Sequence, residues 1–248
     1  MSQASTEPAL RVGIDSYSYH RYFGEIRAGE EDPGVRWTTW DFVERAAELG
    51  VDGVSLETCY LPLDDRSFPE RMAARLDDAE LVRVLAWGHP GGLELGTSQA
   101  KYEELLRLFD HAEVMTSPLV RIVVGTFTHW RQEPEADSIG RLVPIVRDAC
   151  RQAANRDIEL AIETHCALSI SALLELIERV DAHNLGVVLD TANVIRVGSD
   201  LLEATAKLAP LIKMVHVKDL DLSKADFGDP GGWWPCAPLG KGDLDLTG

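Results

Sequence analysis

The chain has 248 residues, and its 24 Lys and Arg residues against 41 Asp and Glu residues give a net charge of −17. This acidity disfavours a nucleic-acid-binding protein, which needs a basic face for the phosphates, and it disfavours docking on an anionic membrane. The sequence has no basic and apolar leader and no run near the ~18 apolar residues of a membrane helix. We therefore expect a cytoplasmic protein, whose four cysteines, none in a CxxC pair, are structural thiols.

Seven short apolar runs are predicted as strands. Their hydrophobicity is nearly continuous rather than alternating, which is typical of parallel strands that are covered on both faces. The runs begin near Arg11, Gly53, Val82, Val120, Ile158, Gly186 and Leu211.

Amphipathic helices are predicted between these strands, and several have recognisable ends. Thr38 is placed to cap one helix, with Asp41 three residues later, and Gly50 is a natural stop. Ser171 and Ser199 are predicted to cap two later helices in the same way. The β-α order repeats seven times without a linker, which predicts a single domain over residues 1–248.

Parallel βα units build either a closed (β/α)8 barrel or an open, doubly wound sheet. The open sheet's usual phosphate loop, GxGxxG, does not follow the first strand, and a GxxxxGK[ST] motif is also missing. Polar side chains instead follow nearly every predicted strand. In a barrel these strand ends converge on one face, where the active site is built.

Glu163, Asp190 and His216 are the most specific set at these ends. They are 27 and 26 residues apart, close to the roughly 30 residues of one βα unit, so consecutive strands would present them at the same height. Two carboxylates and an imidazole suit Mn²⁺, Zn²⁺, Mg²⁺ or Co²⁺, and a divalent ion would relieve the repulsion between buried carboxylates. Alternatively, the two carboxylates pair with Lys or Arg, and His216 is a core histidine.

The same residues carry a family resemblance. GIDSYSY, FVERAAELGVDGVSLE, LAIETH, GVVLDTANV and VHVKD resemble the xylose isomerase-like barrel superfamily of sugar isomerases and epimerases over essentially the whole chain. The resemblance implies a (β/α)8 TIM barrel and a divalent metal, with Mn²⁺ favoured, bound by Glu163, Asp190 and His216. It also implies that Glu163 transfers protons.

One departure from the family pattern lies at the end of the chain. A glutamate on the eighth strand normally completes the metal shell and acts as second acid/base, but no glutamate follows Asp219. We expect the last βα unit to be missing from this chain, with Asp243 or Asp245 as the less favoured substitutes.

Further candidates are expected to contact the substrate. Each also has an ordinary structural explanation: a hydrogen bond for most of them, a salt bridge between Lys218 and Asp219, and packing for the tryptophan. The substrate-binding candidates are Glu57, His89, His165, Asn193, Lys218 and Trp234.

The expected activity is isomerisation or epimerisation of a keto-sugar, by proton abstraction next to a metal-polarised carbonyl. The same apparatus can run a lyase or dehydratase reaction, including cleavage of a 3-oxo-glycoside. The sequence is also compatible with a non-catalytic barrel subunit, and less so with a phosphodiesterase, which would need more metal ligands and a basic groove. The expected partner is a small carbohydrate, without nucleic acid or membrane, and a homo-oligomer is compatible with the sequence.

Overall fold

The computed structural model describes residues 10–27 and 29–247. Each of the seven predicted apolar runs forms a strand, and the observed starts lie within two residues of the predicted ones. The strands are β1 (Gly13–Asp15), β2 (Gly53–Glu57), β3 (Val82–Trp87), β4 (Leu119–Ile122), β5 (Glu159–Glu163), β6 (Leu185–Asp190) and β7 (Ile212–His216).

Helices follow the strands, as the amphipathic pattern predicts. All except one run for at least two turns. They are α1 (Thr39–Leu49), α2 (Phe68–Asp78), α3 (Gln99–Val114), α4 (Glu135–Ala154), α5 (Ile170–Val180), α6 (Thr191–Arg196) and α7 (Leu201–Leu208).

The chain divides into two compact units, and the boundary falls between Val84 and Leu85. In the first unit β1 and β2 pair in parallel, with Gly13 opposite Gly53. A Cβ on Gly13 would lie 2.8 Å from the Gly53 carbonyl oxygen, so the close approach of these two strands requires glycine.

In the second unit, the adjacent strands from β3 to β7 pair in parallel. Every residue of β4 and β6 is buried, which explains why their apolar residues do not alternate with exposed polar ones. The large aliphatic and aromatic side chains of α3, α4 and α5 cover this sheet, since their inward positions are buried at helical spacing.

The helix ends agree with the sequence at α1 but differ at two later helices. Thr38 and Asp41 form a reciprocal capping box, and Gly50 ends α1 in the left-handed conformation. The predicted caps Ser171 and Ser199 are wrong. Ser169 caps α5 by accepting a hydrogen bond from the Ala172 N–H, and Asp200 caps α7. In both regions a second capping residue lies one or two positions away, so the local sequence offers more than one start.

The segment after β7 is folded around Asp219. Two short stretches, β8 (Asp219–Leu220) and β9 (Cys236–Ala237), pair in antiparallel fashion. The Asp219 carboxylate accepts hydrogen bonds from the backbone N–H groups of Leu220, Gly240, Gly242 and Leu244. Within the described part of the chain, this segment adds no strand to the parallel sheet. Among the described residues, no helix combines the length and the hydrophobicity that a bilayer span requires.

Candidate functional site

Three side chains from the ends of neighbouring strands meet at one point. Glu163, Asp190 and His216 are the last residues of β5, β6 and β7, and each offers one ligand atom within 4.8 Å of the others. His216 Nδ1 lies 3.7 Å from Glu163 Oε2 and 3.8 Å from Asp190 Oδ2. We call these three residues the triad.

The strand register explains how the triad forms. Asp190 lies directly opposite His216, as equal spacing predicts, but Glu163 lies opposite Val188. Glu163 therefore does not share the height of the other two along the sheet. Its longer side chain spans the stagger between β5 and β6.

The triad fits a divalent cation. Oxygen and nitrogen ligands that each lie ~2.0–2.2 Å from one ion are separated from each other by about 3–4 Å, as the two distances to His216 are. Glu163 and Asp190 are 5% and 0% exposed. Two buried carboxylates this close repel each other, and a bound cation removes that cost. The donor set suits Mn²⁺, Zn²⁺, Mg²⁺ or Co²⁺.

Two basic side chains also contact the carboxylates. Arg121 Nε lies 3.2 Å from Glu163 Oε2, and Lys218 Nζ lies 2.5 Å from Asp190 Oδ2. The pairing of these carboxylates with Lys or Arg, which the sequence left open, is thus present. It occurs together with the meeting of the three triad side chains. Lys218 pairs with Asp190, whereas the Asp219 carboxylate accepts hydrogen bonds from backbone N–H groups.

The charges around Glu163 keep it ionised. Burial alone would raise its pKa, but the Arg121 guanidinium and the His216 imidazole hold the pKa of Glu163 well below its ordinary value. A carboxylate in this state is a ready metal ligand and proton acceptor.

Asn193 bridges the two carboxylates. Its backbone N–H donates to Asp190 Oδ1 at 3.0 Å, and its side-chain amide donates to Glu163 Oε1 at 3.3 Å. Asn193 stands here because α6, which the sequence did not predict, begins directly after Asp190. Asn193 therefore positions both carboxylates; its predicted contact with substrate stays a prediction.

His165 lies next to the triad. Burial, opposed by Glu163 and assisted by Arg121 and Lys218, lowers its pKa, so the imidazole is neutral at pH 7. Its buried Nδ1 makes no hydrogen bond within the described residues. A recess of about 10 Å³ bordered by Glu163, His165 and Asn193 is barely large enough for one water molecule, so it does not admit a larger ligand.

The other predicted substrate residues are placed as follows. Glu57 ends β2 in the first unit, where it is buried and its N–H donates to Ser16 Oγ. His89 is half-buried two residues beyond β3. Their roles stay predictions.

Trp233 and Trp234 are adjacent in the chain, and of these two only Trp233 is exposed. Trp234 is 9% exposed, packs with Ala192 and Leu220, and donates its indole N–H to the Asp229 carbonyl. Trp233 is 60% exposed. Packing therefore accounts for Trp234 as placed, and its substrate contact is untested.

Arg121 is a site residue that the sequence did not predict; it is 3% exposed and lies one residue before the end of β4. A charged residue inside the apolar run LVRIVV was the available sign of it. Asp243 and Asp245 are engaged elsewhere: Asp243 accepts the Leu222 N–H and Asp245 that of Thr247. Among described residues, neither belongs to the group of metal-ligand atoms.

Comparisons with known proteins agree with this architecture. A family model described as xylose isomerase-like TIM barrel matches residues 43–248. The 3-oxo-isoapionate decarboxylase of Pectobacterium atrosepticum is 24% identical over 153 residues, 62% of this chain. The matched part spans only about half, 53%, of that decarboxylase.

Solved structures share the fold. The xylose isomerase domain protein from Planctomyces limnophilus is 23% identical and has a TM-score of 0.72, over 97% of this chain and 84% of that one. An L-ribulose 3-epimerase is 18% identical with a TM-score of 0.69, over 96% of this chain and 74% of that one. The predicted TIM-barrel class is thus confirmed.

Proposed function

Since the chain belongs to the xylose isomerase-like TIM barrel family, we propose that it is a divalent-metal-dependent isomerase or epimerase of a keto-sugar or related polyol carbonyl. The observation that carries this proposal is the meeting of Glu163, Asp190 and His216 within 4.8 Å. Mn²⁺ is the ion we favour, and the cytoplasm the compartment.

A divalent ion held by the triad would supply positive charge that polarises the substrate carbonyl and acidifies the neighbouring C–H. Glu163 is the base in this proposal: its carboxylate is ionised, and Arg121 and Asn193 fix its two oxygens. The carboxylate takes the proton from carbon, and the electron pair passes to the carbonyl oxygen. Return of a proton to another carbon or to the opposite face gives the isomer or epimer.

His165 supports this reaction from beside Glu163. Its Nδ1 is buried and has no hydrogen-bond partner among the described residues, so we propose that His165 acts through a water molecule rather than by direct contact with the sugar. Two hydrogen bonds hold Asp190 in place: its carboxylate accepts one from the Asn193 N–H at 3.0 Å, and its own N–H donates to Thr164 Oγ1 at 2.9 Å.

Carbon–deuterium exchange tests the proposal. The protein, loaded with Mn²⁺, is incubated in D₂O with a panel of keto-sugars and followed by NMR. We expect deuterium at the carbon next to the carbonyl, at one position only. Product that forms without deuterium would contradict proton exchange with solvent, and equal exchange by Glu163→Gln would remove Glu163 as base.

A second candidate is a lyase reaction, and the similarity to a decarboxylase favours it. The electron pair left after proton loss, or after loss of carbon dioxide, can expel a group or be protonated. Carbon dioxide release or a shortened product in the same incubations would identify this reaction.

A further inference from the structure

Two basic side chains contact the triad from different environments. Arg121 is enclosed, with a 4% exposed side chain, and it also donates from Nη1 to the Trp87 carbonyl at 3.2 Å. Lys218 Nζ contacts Asp190 Oδ2, but its side chain is 42% exposed. Arg121 is therefore a fixed part of the wall, whereas Lys218 approaches the triad from the solvent side.

The backbone of Lys218 is fixed although its side chain reaches into solvent. Its N–H donates to Thr191 Oγ1 at 2.8 Å, and its carbonyl accepts from the same hydroxyl at 2.7 Å. Thr191 follows Asp190 directly. The backbone of Lys218 is therefore bound to the neighbour of Asp190, the residue that its ammonium contacts. A lysine side chain has a flexible four-carbon stem, so the ammonium can move while the backbone stays in place.

The ammonium of Lys218 contacts Asp190, so it would lie close to a divalent ion that the triad held. The two positive charges would repel each other, and the repulsion would be stronger beside a fully buried carboxylate than in water. A substrate that brings negative charge would relieve this repulsion, because its anionic group could pair with the ammonium. The whole chain carries a net charge of −17, so affinity for an anion has to come from such a local arrangement.

We propose that the substrate is an anionic sugar, whose carboxylate or phosphate pairs with Lys218 while a neighbouring carbonyl and hydroxyl face the triad. This inference rests on the proposed function, since it places the anion beside a metal-bound sugar. It assigns Lys218 a specificity role that a surface salt bridge would not have.

Calorimetric binding tests the inference on one carbon framework. D-Glucose, D-gluconate and D-glucose 6-phosphate are titrated into the full chain with Mn²⁺ present. We expect at least one anion to bind about tenfold or more tightly than glucose, as one charged hydrogen bond provides. The tighter of the two anions distinguishes a carboxylate from a phosphate. Equal binding of all three, or no binding of either anion, would overturn the inference.

Lys218→Met and Lys213→Met are the matched variants. Lys213 lies on β7 and pairs with Glu159 at 3.0 Å, away from the triad. Lys218→Met should lose the anion preference and bind Mn²⁺ about two- to fivefold more tightly, because the carboxylate is no longer shared. Lys213→Met should keep wild-type values. A preference that survives in Lys218→Met would refute the role of this lysine.

The metal titration separates the two levels of failure. Absence of one-to-one Mn²⁺ binding by the wild type would contradict the proposed function itself. Stoichiometric Mn²⁺ binding without anion preference would refute only the substrate class.

Discussion

The proposed function makes Glu163 both a metal ligand and the base, so replacing its carboxylate is the most informative single substitution. Glu163→Gln keeps the side-chain shape but removes the proton acceptor. We expect turnover of an identified substrate to fall ~10²–10⁴-fold, the usual loss of a positioned base, with the fold retained by circular dichroism. Steady-state kinetics measure the loss.

The matched control for this substitution is Glu175→Gln. Glu175 lies on α5 and pairs with Arg179 at the surface, so its loss should leave turnover within twofold or so. A Glu163→Gln enzyme that kept more than about a tenth of wild-type turnover would contradict the catalytic assignment.

At this scale the sequence indicated the three triad residues but not what surrounds them. Glu163, Asp190 and His216 were recognisable because each closes an apolar run at a regular interval. Arg121 was not recognisable, because a single arginine in a strand does not reveal that its side chain lies close to Glu163. The position of Asn193 depended on a short helix, α6, whose six residues are too few for a periodic pattern.

Among the elements, the segment after β7 depends on glycine at one position. A Cβ on Gly242 would lie 2.5 Å from the Leu220 carbonyl oxygen and would also collide with the Asp219 carboxylate. Gly242→Ala should therefore disrupt the loop and lower stability by about 1–3 kcal/mol, the usual range for overpacking. Chemical denaturation measures this loss.

Gly140→Ala is the contrasting variant for that measurement. Gly140 lies in α4 with no atom within 4 Å of an added Cβ, so alanine should be neutral or stabilising by up to ~1 kcal/mol. Equal effects of the two substitutions would show that the contacts of Gly242 with Asp219 do not matter.

The Asp219 carboxylate also makes this segment sensitive to acid. Burial would raise its pKa, but the backbone N–H groups of Gly242, Leu244, Leu220 and Gly240 lower it below the ordinary value. Because the folded pKa is the lower one, the stabilisation is complete above the unfolded pKa of about 3.9 and is lost as the pH falls below it. We expect the Tm of the wild type to fall more steeply than that of Asp219→Asn from pH 5 to pH 3. Parallel curves would contradict this role.

Strands were more predictable than helix ends for a physical reason. A buried parallel strand needs apolar residues on both faces, so β5 and β6 stand out as continuous runs. A helix start needs only one acceptor side chain, and both Ser169 and Ser171 offer one near α5. Tertiary packing decides which of these residues caps the helix, and the local sequence does not reveal that packing.

For the whole molecule, we expect metal binding to raise the free energy of unfolding and therefore the Tm. All three triad residues lie in the second compact unit, Leu85–Gly248, and a ligand that binds only the folded state stabilises it by mass action. At a free Mn²⁺ concentration 100 times the Kd this amounts to about 2.7 kcal/mol, or a Tm increase of roughly 5–10 °C for a chain of this size. Asp190→Asn should abolish the increase, because it removes a buried ligand. Asp181→Asn, at the exposed end of α5, should retain it. A scanning calorimetry series over Mn²⁺ concentration, reversed by a chelator, measures both, and equal shifts in the two variants would show that Mn²⁺ acts somewhere other than the triad.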